Sequence, residues 1–170
     1  LFVNDAFACA HRSTPSIVGF TGLLPCVAGE LMGNEIRKLD HALETPERPC
    51  LAVLGGVKVD DSIQVADNML RNKICDEFWP TGGVANLLLE LSGVEIGVSN
   101  HDFLVNELGN AWYQTVETAK SLLRDFSQKI RLPVDVAANV EDNRVDLEVS
   151  KLPVDAPIFD LGIQMLLLIV

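Results

Sequence analysis

The segment that most restricts what this chain can become runs from Cys50 to Ile63, reading Cys-Leu-Ala-Val-Leu-Gly-Gly-Val-Lys-Val-Asp-Asp-Ser-Ile. Leu51 to Leu54 are apolar without interruption, the pattern of a strand buried on both faces. Gly55 and Gly56 end the run, and a glycine pair lets backbone or a ligand approach closely. Lys58 then stands at the carboxyl edge of the strand. Asp60, Asp61 or Ser62 can cap a helix over residues 61–71, whose apolar face is Ile63, Ala66, Met69 and Leu70. This succession describes the edge of an open parallel sheet, where ligands bind outside the strand ends and helix amino-termini offer N–H groups to anions. From spacing alone Lys58 reads two ways, as a solvated surface lysine or as a group facing a bound anion.

The arrangement recurs. Ile74 to Trp79 predict a short strand ending in Pro80-Thr81-Gly82-Gly83, followed by a helix with Val84, Leu87, Leu88 and Leu91 on its face and Ser92-Gly93 at its end. Pro157 to Gly162 is a third apolar run ending in glycine. Its Asp160 suits a metal, a ribose or the cap of the next helix. Earlier, Leu1 to Val3 read as the end of a strand, and Arg12 beyond it is either a clamp for phosphate or carboxylate or a surface arginine. His11 reads more simply as a hydrogen-bonded histidine than as a proton carrier.

Residues 25–45 predict a connecting helix striped by Leu31, Met32, Ile36, Leu39, Ala42 and Leu43, stopped by Pro46 and Pro49. One more helix on a single domain is the other reading of that stretch. Asn100 to Asn110 shows no sustained period. Val116, Ala119, Leu123 and Phe126 stripe another helix, and Ile130 to Val136 alternate around Pro133. Val145 to Val149 alternate again after an acidic link that predicts a hairpin or a surface excursion. Asp135 suits catalysis less well than a solvated or turn-stabilising carboxylate. The whole reads as α/β with a mainly parallel sheet.

With 48% apolar and 22% charged residues the 170-residue chain can bury a core, and length alone suggests one domain. A net charge of −11 argues against a nucleic-acid partner, though not against a small anion held in a local basic pocket. Cysteines at 9, 26, 50 and 75 form no Cys-x-x-Cys pair, which predicts free thiols in a reducing cytosol rather than a metal or redox motif. No signal peptide is expected, and the apolar tail Met165 to Val170 is too short to span a bilayer. Both ends read as cut within apolar runs, with a docked terminal element as the alternative. No Walker loop, dinucleotide fingerprint, zincin or nucleophile-elbow motif occurs.

Taken in order, Val3-Asn4-Asp5-Ala6-Phe7, Ala10-His11-Arg12, Leu51 to Val59, Thr81-Gly82-Gly83, Leu132-Pro133-Val134-Asp135 and Asp160-Leu161-Gly162 resemble the landmarks of the phosphoglycerate kinases across essentially all of the sequence. Asp60-Asp61-Ser62 and the short excursion around Asn143 are similar to the archaeal branch. The resemblance implies a parallel-sheet, three-layer, Rossmann-like nucleotide lobe with a remnant of a second α/β lobe. Residues 1–24 would end the amino-terminal substrate lobe, 25–49 would be the interdomain helix and linker, and 50–170 would be part of the carboxyl-terminal nucleotide-binding lobe.

It further implies reversible phosphoryl transfer from 1,3-bisphosphoglycerate to ADP, giving 3-phosphoglycerate and ATP with Mg2+, in a cytoplasmic protein that is a monomer when full-length, with an oligomer left open. Lys58 and Arg12 would be catalytic, the lysine on the transferring phosphate and the arginine on the phosphoglycerate beside His11 and Asn4. Gly55, Gly56, Gly82, Gly83, Asp160 and Gly162 would border the nucleotide; no residue is assigned as a metal ligand. Ser62 stands where many members have a second lysine. Ile163 replaces a usual proline, Gln164 and Met165 depart from a polar continuation, and Pro80 is unusual before Thr81. These departures motivate an alternative, a non-catalytic nucleotide-binding or scaffold domain of the same fold. An unrelated dehydrogenase-like sheet is disfavoured by the missing glycine fingerprint.

Overall fold

Phe2–Asn4 (β1) and Cys26–Ala28 (β2) pair in parallel, Phe2 opposite Cys26 and Asn4 opposite Ala28, in the computed structural model, which describes residues 1–169. A 3-10 turn at Phe7–Cys9 and the short Pro15–Val18 helix (α1) connect them. The predicted helix over residues 25–45 starts later, at Glu30–Glu44 (α2), because β1 recruits Cys26–Ala28 as a strand partner. Its start is held by Asp5, whose carboxylate accepts the Met32 N–H at 2.8 Å. Of the expected stripe only Met32 is buried; Leu31, Ile36, Leu39 and Leu43 are exposed. These elements belong to the first of two compact units, Leu1–Glu47; the second is Arg48–Val170.

In the second unit Leu51–Leu54 (β3) is a strand, joined through Val59–Arg71 (α3) to the parallel strand Glu77–Pro80 (β4). A parallel pair requires such a crossover, and α3 supplies it by burying Val59, Ile63, Ala66 and Leu70. Two expectations need correction. The strand β3 is covered on one face only: Ala52 is buried, whereas Leu51 and Val53 are 41% and 44% exposed. Neither acidic residue nor Ser62 caps α3; Lys58 occupies the cap position without a side-chain hydrogen bond, and Asp60 and Asp61 lie in the first turn, where they favour the positive helix end.

Gly82–Leu91 (α4) is buried through Leu89, so it is a central element of the core. Val98–Leu108 (α5) is a helix where no period was legible, and it buries Asn100, Leu104 and Leu108. Trp112–Asp125 (α6) packs Thr115, Val116, Ala119 and Leu122 inward. The expected alternation from Ile130 becomes one isolated bridge, Ile130 to Phe78, and the strand itself is Asp135–Val140 (β5). The acidic link is a hairpin: β5 pairs antiparallel with Asn143–Glu148 (β6) through Glu141 and Asp142, both at positive φ. On its other edge β5 pairs antiparallel with Ile158–Leu161 (β7), adding antiparallel ladders to the parallel ones of this α/β fold.

Ile163–Ile169 (α7) follows Gly162. Asp135, 1% exposed and so not solvated, accepts the N–H groups of Gln164 and Met165 at 2.8 Å each and thereby caps α7, one of the three roles considered for Asp160. A Cβ on Gly162 would overlap this carboxylate. Phe78, Ile63, Leu70, Leu87, Leu88, Leu104 and Leu122 are among the large, fully buried side chains of the core formed by α3 to α6 and the strands. Of the apolar tail, Met165 packs with Trp79 and Leu161, and Leu167 and Leu168 are exposed; Val170 lies outside the described residues.

Candidate functional site

The two glycine pairs meet at the ends of β3 and β4. Thr81 N–H donates to Leu54 O at 2.9 Å, and Gly83 N–H donates to Gly56 O at 3.2 Å. Side chains are excluded here by contact: a Cβ at Gly55 would overlap the Thr81 hydroxyl, and one at Gly83 would stand 3.0 Å from Gly56 O. Gly56 at φ +97 and Gly82 at φ +52 use left-handed backbone that disfavours other residues. The turn after β3 and the start of α4 are thus joined backbone to backbone.

Against this joint lies a cavity of about 700 Å³. Gly56, Val57, Thr81, Gly82 and Gly83 form one side; Ser99, Asn100 and Phe103 from the first turns of α5 and Pro157 to Asp160 around β7 form the rest. The wall is mostly apolar, with a few polar groups and one carboxylate. A cavity of that size and lining suits a flat heterocycle with a polar edge. Phe103 and Phe159, 43% and 48% exposed, offer aromatic surface to it.

Lys58 follows Val57 at the cavity rim and is the central residue of a tight turn, with φ −78, ψ 72 and a Val59 N–H to Val57 O bond of 2.9 Å. Its side chain is 75% exposed, and Nζ lies 3.8 Å from Glu107 Oε1 on α5. Such an exposed, loosely held pair contributes little to stability, which leaves the ammonium free to turn to another anion. Asp160 is in the cavity wall, and its Oδ1 accepts the Leu161 N–H. Ser62 Oγ, in the first turn of α3, donates back to Gly55 O at 3.5 Å. Gly162 is outside the cavity wall, packed on Asp135, and Gly55 supports the wall from behind.

In the Leu1–Glu47 unit, Asn4 and Arg12 line a second cavity of about 460 Å³ together with Phe2, Asp5, Cys9 and Ser16. Asn4 Oδ1 accepts the Ala6 N–H, fixing the turn after β1. Arg12 is exposed and makes no salt bridge among the described residues; His11 is exposed and is not part of that wall. No group of three or more His, Cys, Asp or Glu side chains able to hold a metal ion occurs among the described residues. No helix there is long and apolar enough to cross a membrane.

Electrostatic shifts fall on carboxylates with arginine partners and on one buried thiol, away from the cavity wall. The Arg131 hydrogen bond, then that of the Trp79 indole, holds Glu77 below the usual carboxylate range. Cys50 N–H, then Arg48, does the same for Asp76. Burial pushes the Cys75 thiol up, which suits a packing role. Sequence reasoning missed Ser99, Asn100, Phe103 and Phe159 in the cavity wall. The signal available was the spacing of Ser99 and Phe103, four apart and so on one face of a helix.

A family model for phosphoglycerate kinase matches residues 1–168. The phosphoglycerate kinase of Methanobacterium bryantii is 46% identical over 162 residues, which is 95% of this chain and 39% of that protein. That of Methanothermobacter thermautotrophicus is 48% identical over 163 residues, 96% of this chain and 39% of the other. The crystal structure of phosphoglycerate kinase from Pyrococcus horikoshii OT3 superposes with a TM-score of 0.85 at 36% identity, covering 96% of this chain and 40% of that one. The chain therefore spans about two fifths of the length of the relatives it matches. By the extent of these matches, the chain belongs to the phosphoglycerate kinase family.

Proposed function

We propose that the protein is a phosphoglycerate kinase and that this chain contributes its nucleotide cavity and the lysine at its rim. The reaction is reversible phosphoryl transfer from 1,3-bisphosphoglycerate to ADP: the bond from phosphorus to the acyl oxygen breaks, a bond from phosphorus to a β-phosphate oxygen of ADP forms, and the products are 3-phosphoglycerate and ATP. The observation that carries this reading is the cavity of about 700 Å³ built on the Gly56 to Gly83 joint, with Lys58 at its edge.

Phosphoryl transfer asks for positive charge and N–H donors around the equatorial oxygens and for alignment, with little acid or base chemistry. Lys58 supplies the charge by leaving Glu107 for the transferring phosphate. Gly56, Gly82 and Gly83 border the nucleotide, with Phe103 and Phe159 against the base and Asp160 at its polar edge. Arg12, with Asn4 and His11 nearby in sequence, binds the phosphoglycerate. Asp160 is the one carboxylate in the cavity wall and would be the residue there to meet a Mg2+ carried in on the nucleotide phosphates, which would supply charge neutralisation at the transferring group. Four free cysteines accord with a cytoplasmic setting.

The second reading, a non-catalytic nucleotide-binding domain, draws on the exposure of Lys58 and its pairing with Glu107. Titrating the full-length protein with MgADP and 3-phosphoglycerate and assaying transfer separates the two: turnover supports the kinase, and binding without turnover supports the alternative. Lys58→Ala is expected to lower kcat/KM by about 10²-fold or more with a melting temperature close to the parent's. Loss of folding in step with activity would withdraw the assignment.

A further inference from the structure

Resting on the nucleotide reading above, we propose that Asn100 and Asn86 are positioning residues that fix the β7 wall of the cavity and thereby set its affinity for the nucleotide. The wall residue Ile158 is gripped through both of its backbone polar groups. Its N–H donates to Asn100 Oδ1 at 2.7 Å, and its carbonyl accepts from Asn86 Nδ2 at 2.9 Å. Asn100 Nδ2 also donates to Ala156 O at 3.0 Å and to Ile96 O at 2.8 Å. One amide therefore ties two points of the wall segment, residues 156 and 158, to α5. The other amide ties the same segment to α4, the helix that begins with Gly82 and Gly83.

Asn86 and Asn100 are buried, at 2% and 3% exposure, where bonds between amides and backbone are strong and directional. The grip falls where the sheet itself holds the wall least regularly, since the β5 to β7 register shifts between Ala137 and Ala138, opposite Ile158. Asn86 carries a further sign of this role. Its Oδ1 is buried without a partner among the described residues, an unfavourable state that a leucine of similar size would avoid. The residue is explained by what its Nδ2 holds. Phe159 and Pro157 flank Ile158 in the cavity wall, so a displaced Ile158 changes the gap between Phe159 and Phe103 in which a flat ring would lie.

The test uses Asn100→Asp, which keeps the acceptor for Ile158 N–H and loses both Nδ2 donations, and Asn86→Leu, which keeps volume and loses the bond to Ile158 O. In the full-length protein, with MgADP as the probe in calorimetry, each variant is expected to bind about ten-fold more weakly. The nucleotide KM should rise in step while that for 3-phosphoglycerate stays within about two-fold, and amide exchange at Ile158 should quicken. A purely structural role would lower melting temperature and active fraction while leaving the ADP dissociation constant of the folded protein unchanged; that result, or unfolding of both variants, overturns the proposal. Normal ADP binding by both variants removes the grip alone and spares the nucleotide reading. Absence of ADP binding by the unsubstituted protein defeats that reading and this proposal together.

Discussion

Asp5 in the Leu1–Glu47 unit and Asp135 in the Arg48–Val170 unit perform one task in two settings. Each reaches from a strand region to a distant helix start, Asp5 to Met32 N–H of α2 and Asp135 to Gln164 and Met165 N–H of α7. Each lies against a glycine, Gly29 or Gly162, on which a Cβ would overlap the carboxylate. The settings differ in solvent. Asp5 is exposed and serves one donor, whereas Asp135 is 1% exposed and serves two. Water can replace an exposed cap; it cannot reach a buried one without opening the core. The same contrast runs through the units as wholes. Among the described residues of the first, Met32 is the one buried apolar side chain, while α3 to α6 and the strands of the second enclose a continuous core.

The strongest challenge to this contrast is hydrogen exchange on the chain. Amides of α4 are expected to be protected about 10³-fold or more beyond those of α2, and equal protection would break the comparison. Core truncation should follow the same line. Leu87→Ala is expected to cost about 3 kcal/mol in chemical denaturation, against less than about 0.5 kcal/mol for the exposed Leu39→Ala. The caps sharpen it further: Asp135→Ala should cost about 2 kcal/mol and Asp5→Ala about 0.5 kcal/mol, read as shifts in denaturation midpoint.

The smallest expected effect is that of acid on the second unit. Glu77, Asp76 and Asp125 are held below the usual carboxylate range by Arg131, by Cys50 N–H and by Arg124 respectively. A depressed folded pKa stabilises above the unfolded value, about 4, and that contribution is lost as pH falls through the lower folded value. Glu77→Gln should therefore melt slightly below the parent at pH 7, with the difference shrinking as pH falls below about 4. A difference that grows on acidification would contradict the Arg131 pairing.

Elements whose own residues carry their period were legible in the sequence. Ile63, Ala66 and Leu70 announced α3, and Leu87 and Leu88 announced α4. Helix α5 was not legible because its inward face includes Asn100, a polar residue made acceptable in the core by its bonds to Ile96, Ala156 and Ile158. The period Asn100, Leu104, Leu108 is visible only once that asparagine is counted as inward-facing. Strand β2 escaped for another reason: three residues become a strand through a partner twenty-four positions earlier, which no local pattern records. The one-sided burial of β3 has the same origin, since an apolar run does not say whether both faces are covered.

At the candidate site, the glycines and Lys58 stood out because turns and close approach leave a mark in sequence. Phe103 and Phe159 did not, because the cavity wall is assembled from four segments far apart in the chain.

The contact of Gly83 and Gly82 with Gly56 has a mechanical consequence. Two loops that would otherwise fluctuate separately are fused into a single rigid bracket, so an incoming ligand meets a mouth already shaped and spends no free energy aligning one lip with the other. A methyl group at position 83 would act as a wedge at that seam, pressing on Gly56 O and equally on Val59 of the buried core behind it.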